Sequence, residues 1–346
     1  MQRPVMNPMY LDDPPPRPRD RWKLLRIAWR ICRVVLRICF KEIRLGRRRA
    51  DLRIEDGTPA QRIVRGILYR LAFAPVILAM FVAALVFAGT HPQRIPADNG
   101  EPRLQALYYN PVNMISPDGT QLEGMVFPQL DARRVIEQRD SLLRAKFPAV
   151  VLVHDYAHGP GQMLPMVRPL HEAGYVVLVV GVRGRGTGRL AGQTFGLHES
   201  LDVQAAVHML RRRAFVDPSR IALLGVGSGA NAVMLCGQSD PQIAAIVACN
   251  PLPSGDDAVR RYLGPQQPWL QFLQPLCKFA FELSYGLDID EIDVEKLGKQ
   301  LEARALLRLD LQDAMPVNAR ASQLRTLCTF LDRHVKGEAP LQANVQ

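Results

Sequence analysis

The 346 residues contain no C-x-x-C pair and no zinc-type spacing of cysteine and histidine. That removes the common structural-metal frameworks. A secretory signal is also missing from the start, because residues 1–20 hold six prolines and few apolar side chains. Such a tail cannot build a core and is expected to be disordered. Excess charge is absent from most of the chain. The net charge is +11, yet residues 1–70 hold 18 Lys+Arg against 7 Asp+Glu, and the remainder holds 26 of each. A neutral domain lacks the clustered cations that nucleic-acid phosphates require, so no nucleic-acid partner is expected. The cysteines are scattered. Cys32 and Cys39 lie in the basic part, and Cys236, Cys249, Cys277 and Cys328 lie far downstream. Three of these four stand in apolar runs and read as buried thiols, with one disulfide left open.

Charge is missing most completely from Leu71 to Gly89, 19 residues in all. About 20 apolar residues span the hydrocarbon layer, so residues 67–90 are assigned to one transmembrane helix. Pro75 is tolerated near its entrance. Upstream, Arg26, Arg30, Arg33, Arg37, Lys41 and Arg44 recur at steps of three and four. They form one basic stripe on an otherwise apolar helix, suited to a surface of anionic lipid, and the basic arm 21–49 is the expected contact. Arg47, Arg48, Arg49, Arg53, Arg62, Arg65 and Arg70 crowd the entry side of the span. The positive-inside bias therefore places the N-terminus in the cytoplasm and the large domain outside it, in the periplasm if the source is bacterial.

The chain divides into a Pro-rich tail 1–20, a basic amphipathic arm 21–66, the span 67–90, a linker 91–110, a domain 111–335 and a tail 336–346. Val112–Ser116 and Gln121–Phe127, joined through Pro117-Asp118-Gly119, read as a hairpin. Ala149–His154, Tyr175–Gly181, Ile221–Leu224 and Ile243–Cys249 are short apolar runs without alternation, as strands covered on both faces are. Helical segments at Met163–Ala173 and Ser200–Arg213 separate them. This order implies an α/β domain with a doubly wound, mostly parallel sheet. Residues 252–303 hold no clear strand and read as a helical, lid-like insertion with Trp269, Phe272, Phe279 and Phe281 as its apolar content. Ala305–Leu311 is the last strand.

The centre of the domain is Ile221-Ala-Leu-Leu-Gly-Val-Gly-Ser-Gly-Ala-Asn231, a strand, a glycine-rich turn and a helix start. This is the frame of the nucleophile elbow G-x-S-x-G. The chain here resembles the α/β-hydrolase superfamily, nearest to its dienelactone-hydrolase and prolyl-oligopeptidase-like branches. Laid on the motif, Gly225 and Gly229 are its outer glycines and Gly227 takes the nucleophile position. Ser228 stands one residue late. Asp310-Leu-Gln-Asp-Ala-Met-Pro316 resembles the loop that carries the family's acid, which matches Asp313. Gly181-Val-Arg-Gly-Arg-Gly-Thr-Gly188 resembles a structural loop of the family, with Arg183 kept. Glu199 and Asp202 are expected to interact with the N-terminus of the helix that follows.

In this superfamily the order is serine, then acid, then histidine. Only His334 follows Asp313, and it closes a helix that runs back along the sheet. Roughly 18 residues at 1.5 Å each put it about 27 Å from the active edge. The family's last strand is expected to be lacking. His154, Asp155 and Tyr156 occupy the oxyanion region, where His-Gly usually stands. Asp155 would oppose a developing oxyanion unless it is protonated or turned away. His154, Asp155 and His158 do not match a helical metal motif, so neither a metal nor a cofactor is expected. The resemblance thus implies the hydrolase fold with a degenerate site. The function expected is an envelope scaffold, or a module holding a small apolar or acyl ligand under the insertion. The alternative is an active serine hydrolase, an esterase or peptidase, using Ser228 and Asp313 with a recruited histidine.

Overall fold

The computed structural model describes residues 59–92, 107–129, 145–156, 158–184, 191–310 and 321–337. The Pro-rich tail, the basic arm up to residue 58, Asp313 and the end of the Arg183 loop lie outside them. Helix α1 spans Pro59–Thr90 and contains Pro75. It begins earlier than the loss of charge suggested. Charge marks where an apolar run ends, whereas a helix ends where its backbone does, and proline fits the first helical turn. Its segment Phe73–Thr90 is long and apolar enough to cross a membrane. Chain contacts divide within this helix, and residues from Val76 onward form one unit.

That unit is built on seven strands in the order β1-β2-β4-β3-β5-β6-β7. Strands β1 (Asn110–Ile115) and β2 (Gln121–Phe127) form the opening hairpin, and β2 pairs antiparallel with β4 (Val176–Gly181). From β4 through β3 (Phe147–Val153), β5 (Val216–Val226), β6 (Ala245–Cys249) and β7 (Leu306–Leu309), every pairing is parallel. Among the described residues the sheet ends at β7. The apolar runs are continuous because both faces are covered. Ala149, Val151 and Val153 point into one core; Val150 and Leu152 point into the other. Such two-residue alternation is the strand's own geometry. Helices α2 (Leu164–Glu172), α3 (Glu199–Arg211) and α4 (Ser228–Ser239) make the crossovers.

Three expectations change. β5 starts at Val216, five residues before Ile221, because Val216 pairs with Phe147 ahead of a register shift. The shift accommodates Asp217–Arg220, where Pro218 cannot donate to the ladder. Glu199 and Asp202 do not serve their own helix N-terminus. Asp202 accepts from Arg183 at its backbone N, Nε and Nη2, and Glu199 accepts from Thr194 N and Gly196 N. Arg183 also reaches Asp118 and Ser116, so this buried pair ties the hairpin turn to β4 and α3. Lastly, residues 255–300 are helical as expected, but of their four named aromatics only Phe281 is interior. Trp269, Phe272 and Phe279 are 72%, 71% and 63% exposed. A helix buries one face, and these three stand on the other.

Cys236, Cys249 and Cys277 are buried free thiols, and Cys328 is free and half-buried. Burial pushes the Cys236 and Cys249 thiols up to about 12. They are packing groups, far from the thiolate form that reacts.

Candidate functional site

The sharp bend between β5 and α4 places the site. Gly227 has φ 57° and ψ −120°, a conformation that strains any residue with a Cβ. Its N–H donates to the Cys249 carbonyl at 2.9 Å, which fixes the bend against β6. A Cβ on Gly225 would strike the Gly229 carbonyl, and one on Gly229 would lie 2.7 Å from the Val153 carbonyl. Strand, turn and helix therefore meet at backbone distance. The glycines that suggested an elbow in the sequence are held as one.

A carboxylate occupies the tip. A Cβ built on Gly227 would fall on the Asp155 side chain. Asp155 Oδ1 accepts from Ser228 N at 2.8 Å and from Tyr156 N at 2.6 Å. These are the N–H of the residue after the bend and an N–H from the loop after β3. In an elbow of this type, those two groups are the donors that face a developing oxyanion. The Ser228 side chain also acts on this carboxylate, favouring its charged form. The α4 N-terminus adds its positive end. Enclosure pushes the Asp155 carboxyl above its ordinary range, while the Ser228 and Tyr156 N–H groups and the charge of His158 pull partly back.

Asp155 is not turned away from the oxyanion position, and burial favours its neutral form. Asp155 points inward and supplies the oxygen itself. Two backbone donors and a helix terminus make a short acidic side chain a good occupant there. Ser228 begins α4 and is 7% exposed.

Of the histidines, His158 lies near enough for its charge to act on Asp155. His154 is fully buried, with Nδ1 2.9 Å from the Asp155 carbonyl and Nε2 accepting from Val182 N at 3.3 Å. With Nε2 as acceptor, Nδ1 carries the proton. His158 donates its backbone N–H to the Asp155 carbonyl at 3.2 Å. His198 sets its ring edge-on to Tyr285. His334 packs at a tilt on Phe330, just past the helix Ala321–Leu331. Neighbouring Asp332 accepts from Tyr175, the residue before β4 begins. His334 thus belongs to the end of the sheet opposite the bend, as the helix length foretold.

Sequence reasoning expected a lid and named Phe281, but it did not find Phe195 and Tyr262, which complete the roof over the bend. Phe195 is fully buried at φ 58°, a strained value for a bulky side chain. The Glu199 carboxylate holds its loop through Thr194 N at 2.7 Å and Gly196 N at 2.9 Å. Phe195 then stacks on Tyr262 and meets Tyr156 and Phe281 at a tilt. The last turns of α1 join this cluster through Val82 and Val86. Tyr156 Oη donates to the Gly89 carbonyl at 2.5 Å, and Gln193 N donates to the Thr90 carbonyl at 2.7 Å. The apolar periodicity of residues 71–89 carried no sign of a docked end, since every position there is apolar.

No family model matches the chain. It is 33% identical over 119 residues to a thiohydrolase of Arthrinium phaeospermum, covering 32% of this chain and 37% of the relative. It is 28% identical over 138 residues to the uncharacterized protein YfhR of Escherichia coli O157:H7, covering 39% and 45%. The matches thus span less than half the length of these curated relatives. Among solved structures, the Pyrococcus furiosus esterase Pf2001 superimposes with a TM-score of 0.51 at 19% identity, over 71% of this chain and 98% of that one. With the strand order above, this shows the α/β-hydrolase fold.

Proposed function

We propose that this protein is a membrane-anchored, non-hydrolytic α/β-hydrolase-fold protein that acts as a scaffold at the cell envelope. The observation that carries this reading is the Asp155 carboxylate on the Ser228 and Tyr156 N–H groups, beside a tip that is glycine. Hydrolysis of an acyl substrate needs a nucleophile at the tip and free donors for the oxyanion. Here a hydrogen stands in for the first and the Asp155 side-chain oxygen takes the second. A substrate oxygen would have to displace it from those donors.

Helix α1 supplies the anchor, with the cationic stretch before it on the cytoplasmic side and the domain on the other. The basic arm 21–49 reinforces attachment to anionic lipid. The aromatic roof favours scaffolding over capture of a small apolar or acyl ligand. Phe195, Tyr262 and Phe281 already lie against one another under the insertion.

The hydrolytic alternative, with Ser228 as nucleophile, draws support from what the similar proteins are called: a thiohydrolase and an esterase. The two readings part in one experiment. The full-length chain in detergent is treated with a fluorophosphonate probe beside a Ser228→Ala control. The scaffold reading expects no labelling in either. Labelling of the unaltered chain that disappears with Ser228→Ala would establish the hydrolase.

A further inference from the structure

The insertion carries an apolar face that its own core leaves uncovered. Trp269, Phe272, Leu276, Phe279 and Leu283 follow one another at steps of three, four, three and four. They run along the 3-10 turn Pro268–Leu273 and the helix Gln274–Tyr285. All five are exposed, from 42% at Leu276 to 72% at Trp269. Leu273, Cys277 and Phe281 on the opposite face are buried. One stripe of large apolar groups facing solvent, on a helix already packed by its other side, marks an interaction surface.

The anchor helix decides what covers it. The charge-free run from Leu71 to Gly89 is 19 residues. At 1.5 Å per residue it is about 28 Å long, roughly one hydrocarbon thickness, so no turn of it is spare. Yet Val82 and Val86, inside that run, are buried in the cluster that holds Val259, Leu263 and Phe281 of the insertion. Meanwhile Phe81 and Phe87 remain exposed on the helix's other side. Whatever packs on Val82 and Val86 therefore sits below the level where the run ends. Gly89, near that end, lies against the Tyr262 carbonyl, and Arg261 beside Tyr262 is exposed.

We propose that the stripe Trp269–Phe272–Leu276–Phe279–Leu283 is immersed in the bilayer leaflet that surrounds the C-terminal half of α1. The insertion is then a second membrane contact. It lies in the interface by its apolar face, with Trp269 as the kind of side chain that favours that zone. This rests on the anchoring reading given under the proposed function.

The full chain, reconstituted into phosphatidylcholine vesicles, tests it. Its tryptophans are Trp22, Trp29 and Trp269. Trp22→Phe with Trp29→Phe leaves Trp269 as sole reporter. Acyl chains brominated near the headgroup should remove most of its emission, which should also be blue-shifted relative to indole in water. Emission untouched by brominated lipid overturns the proposal. If it is also blue-shifted, a protein partner or second copy covers the stripe instead. A companion variant adds Trp269→Phe and Phe81→Trp to read the anchor, with acyl chains brominated near their ends, because Phe81 lies midway along the run. Quenching there with Trp269 silent sinks the stripe alone, whereas silence at both positions sinks the anchor reading too. Quenching of Trp269 supports immersion of the stripe whatever the companion reads.

Discussion

The Tyr156 hydroxyl holds the Gly89 carbonyl at 2.5 Å, while the Tyr156 backbone N–H holds Asp155 Oδ1 at 2.6 Å. One residue thus grips the end of the apolar helix with its side chain and the filled donor site with its main chain. The apolar helix and the centre of the fold are separated by a single tyrosine.

Loosening that grip should detach the helix end without removing the span. Tyr156→Phe loses one hydrogen bond and should cost about 1 kcal/mol in denaturant unfolding. Gly89→Leu should do more, because its Cβ would strike the Tyr262 carbonyl and lie 2.9 Å from Leu263 Cδ2. The expected result is faster proteolysis of residues 255–300 with unchanged pelleting in the membrane fraction. Loss of pelleting would mean that docking, and not span hydropathy, retains the protein.

Emptying the donor site should create an anion site. Asp155→Gly leaves the Ser228 and Tyr156 N–H groups without their acceptor, at about 1–3 kcal/mol. Asp155→Asn keeps an oxygen acceptor and should cost less. Acetate should raise the melting temperature of Asp155→Gly and leave the unaltered protein unmoved. An equal response from both proteins would show that Asp155 does not fill the site in solution.

Gly227→Ser and Asp155→Gly should be strongly coupled. A side chain on Gly227 runs into the Asp155 carboxylate. Alone, Gly227→Ser should be destabilising. With Asp155→Gly the clash disappears, and the double variant should recover part of the loss, with an interaction energy of about 1–3 kcal/mol in a double-mutant cycle. Simple additivity would place the two groups apart.

The Arg183 network should be costly to break and should set part of the acid sensitivity. Arg183 and Asp202 are 4% and 0% exposed. Arg183→Met leaves Asp202 buried without its partner and should cost about 3–5 kcal/mol. Asp118 is the titrating member. Partial burial raises its carboxyl, but the Arg183 hydrogen bond and charge prevail and hold it at about 2. Because the folded value lies below the unfolded one, its contribution is fully present above about pH 4 and is lost as pH falls toward 2. Solvent screening limits it to about 1 kcal/mol. Urea unfolding of Asp118→Asn should therefore converge with the parent near pH 2 and diverge above pH 4.

The sequence alone determined the layered sheet, since four apolar runs without alternation can only be strands covered on both faces. It also determined the bend, because Gly225, Gly227 and Gly229 are spaced for a backbone crossing that a Cβ forbids. The loss of a hydroxyl at the tip and the distant position of His334 follow from chain order and helix rise. Those are local properties, fixed by residues near one another in the chain. Tertiary structure decided what lies 72 residues from Gly227 in the chain yet on top of it in space: the Asp155 carboxylate. It also decided which face of the insertion is bare and where α1 docks. The sequence placed Asp155 beside the oxyanion position but could not tell which N–H groups its loop would aim at the side chain. Only the closing of β3 against β5 brings those donors to one point.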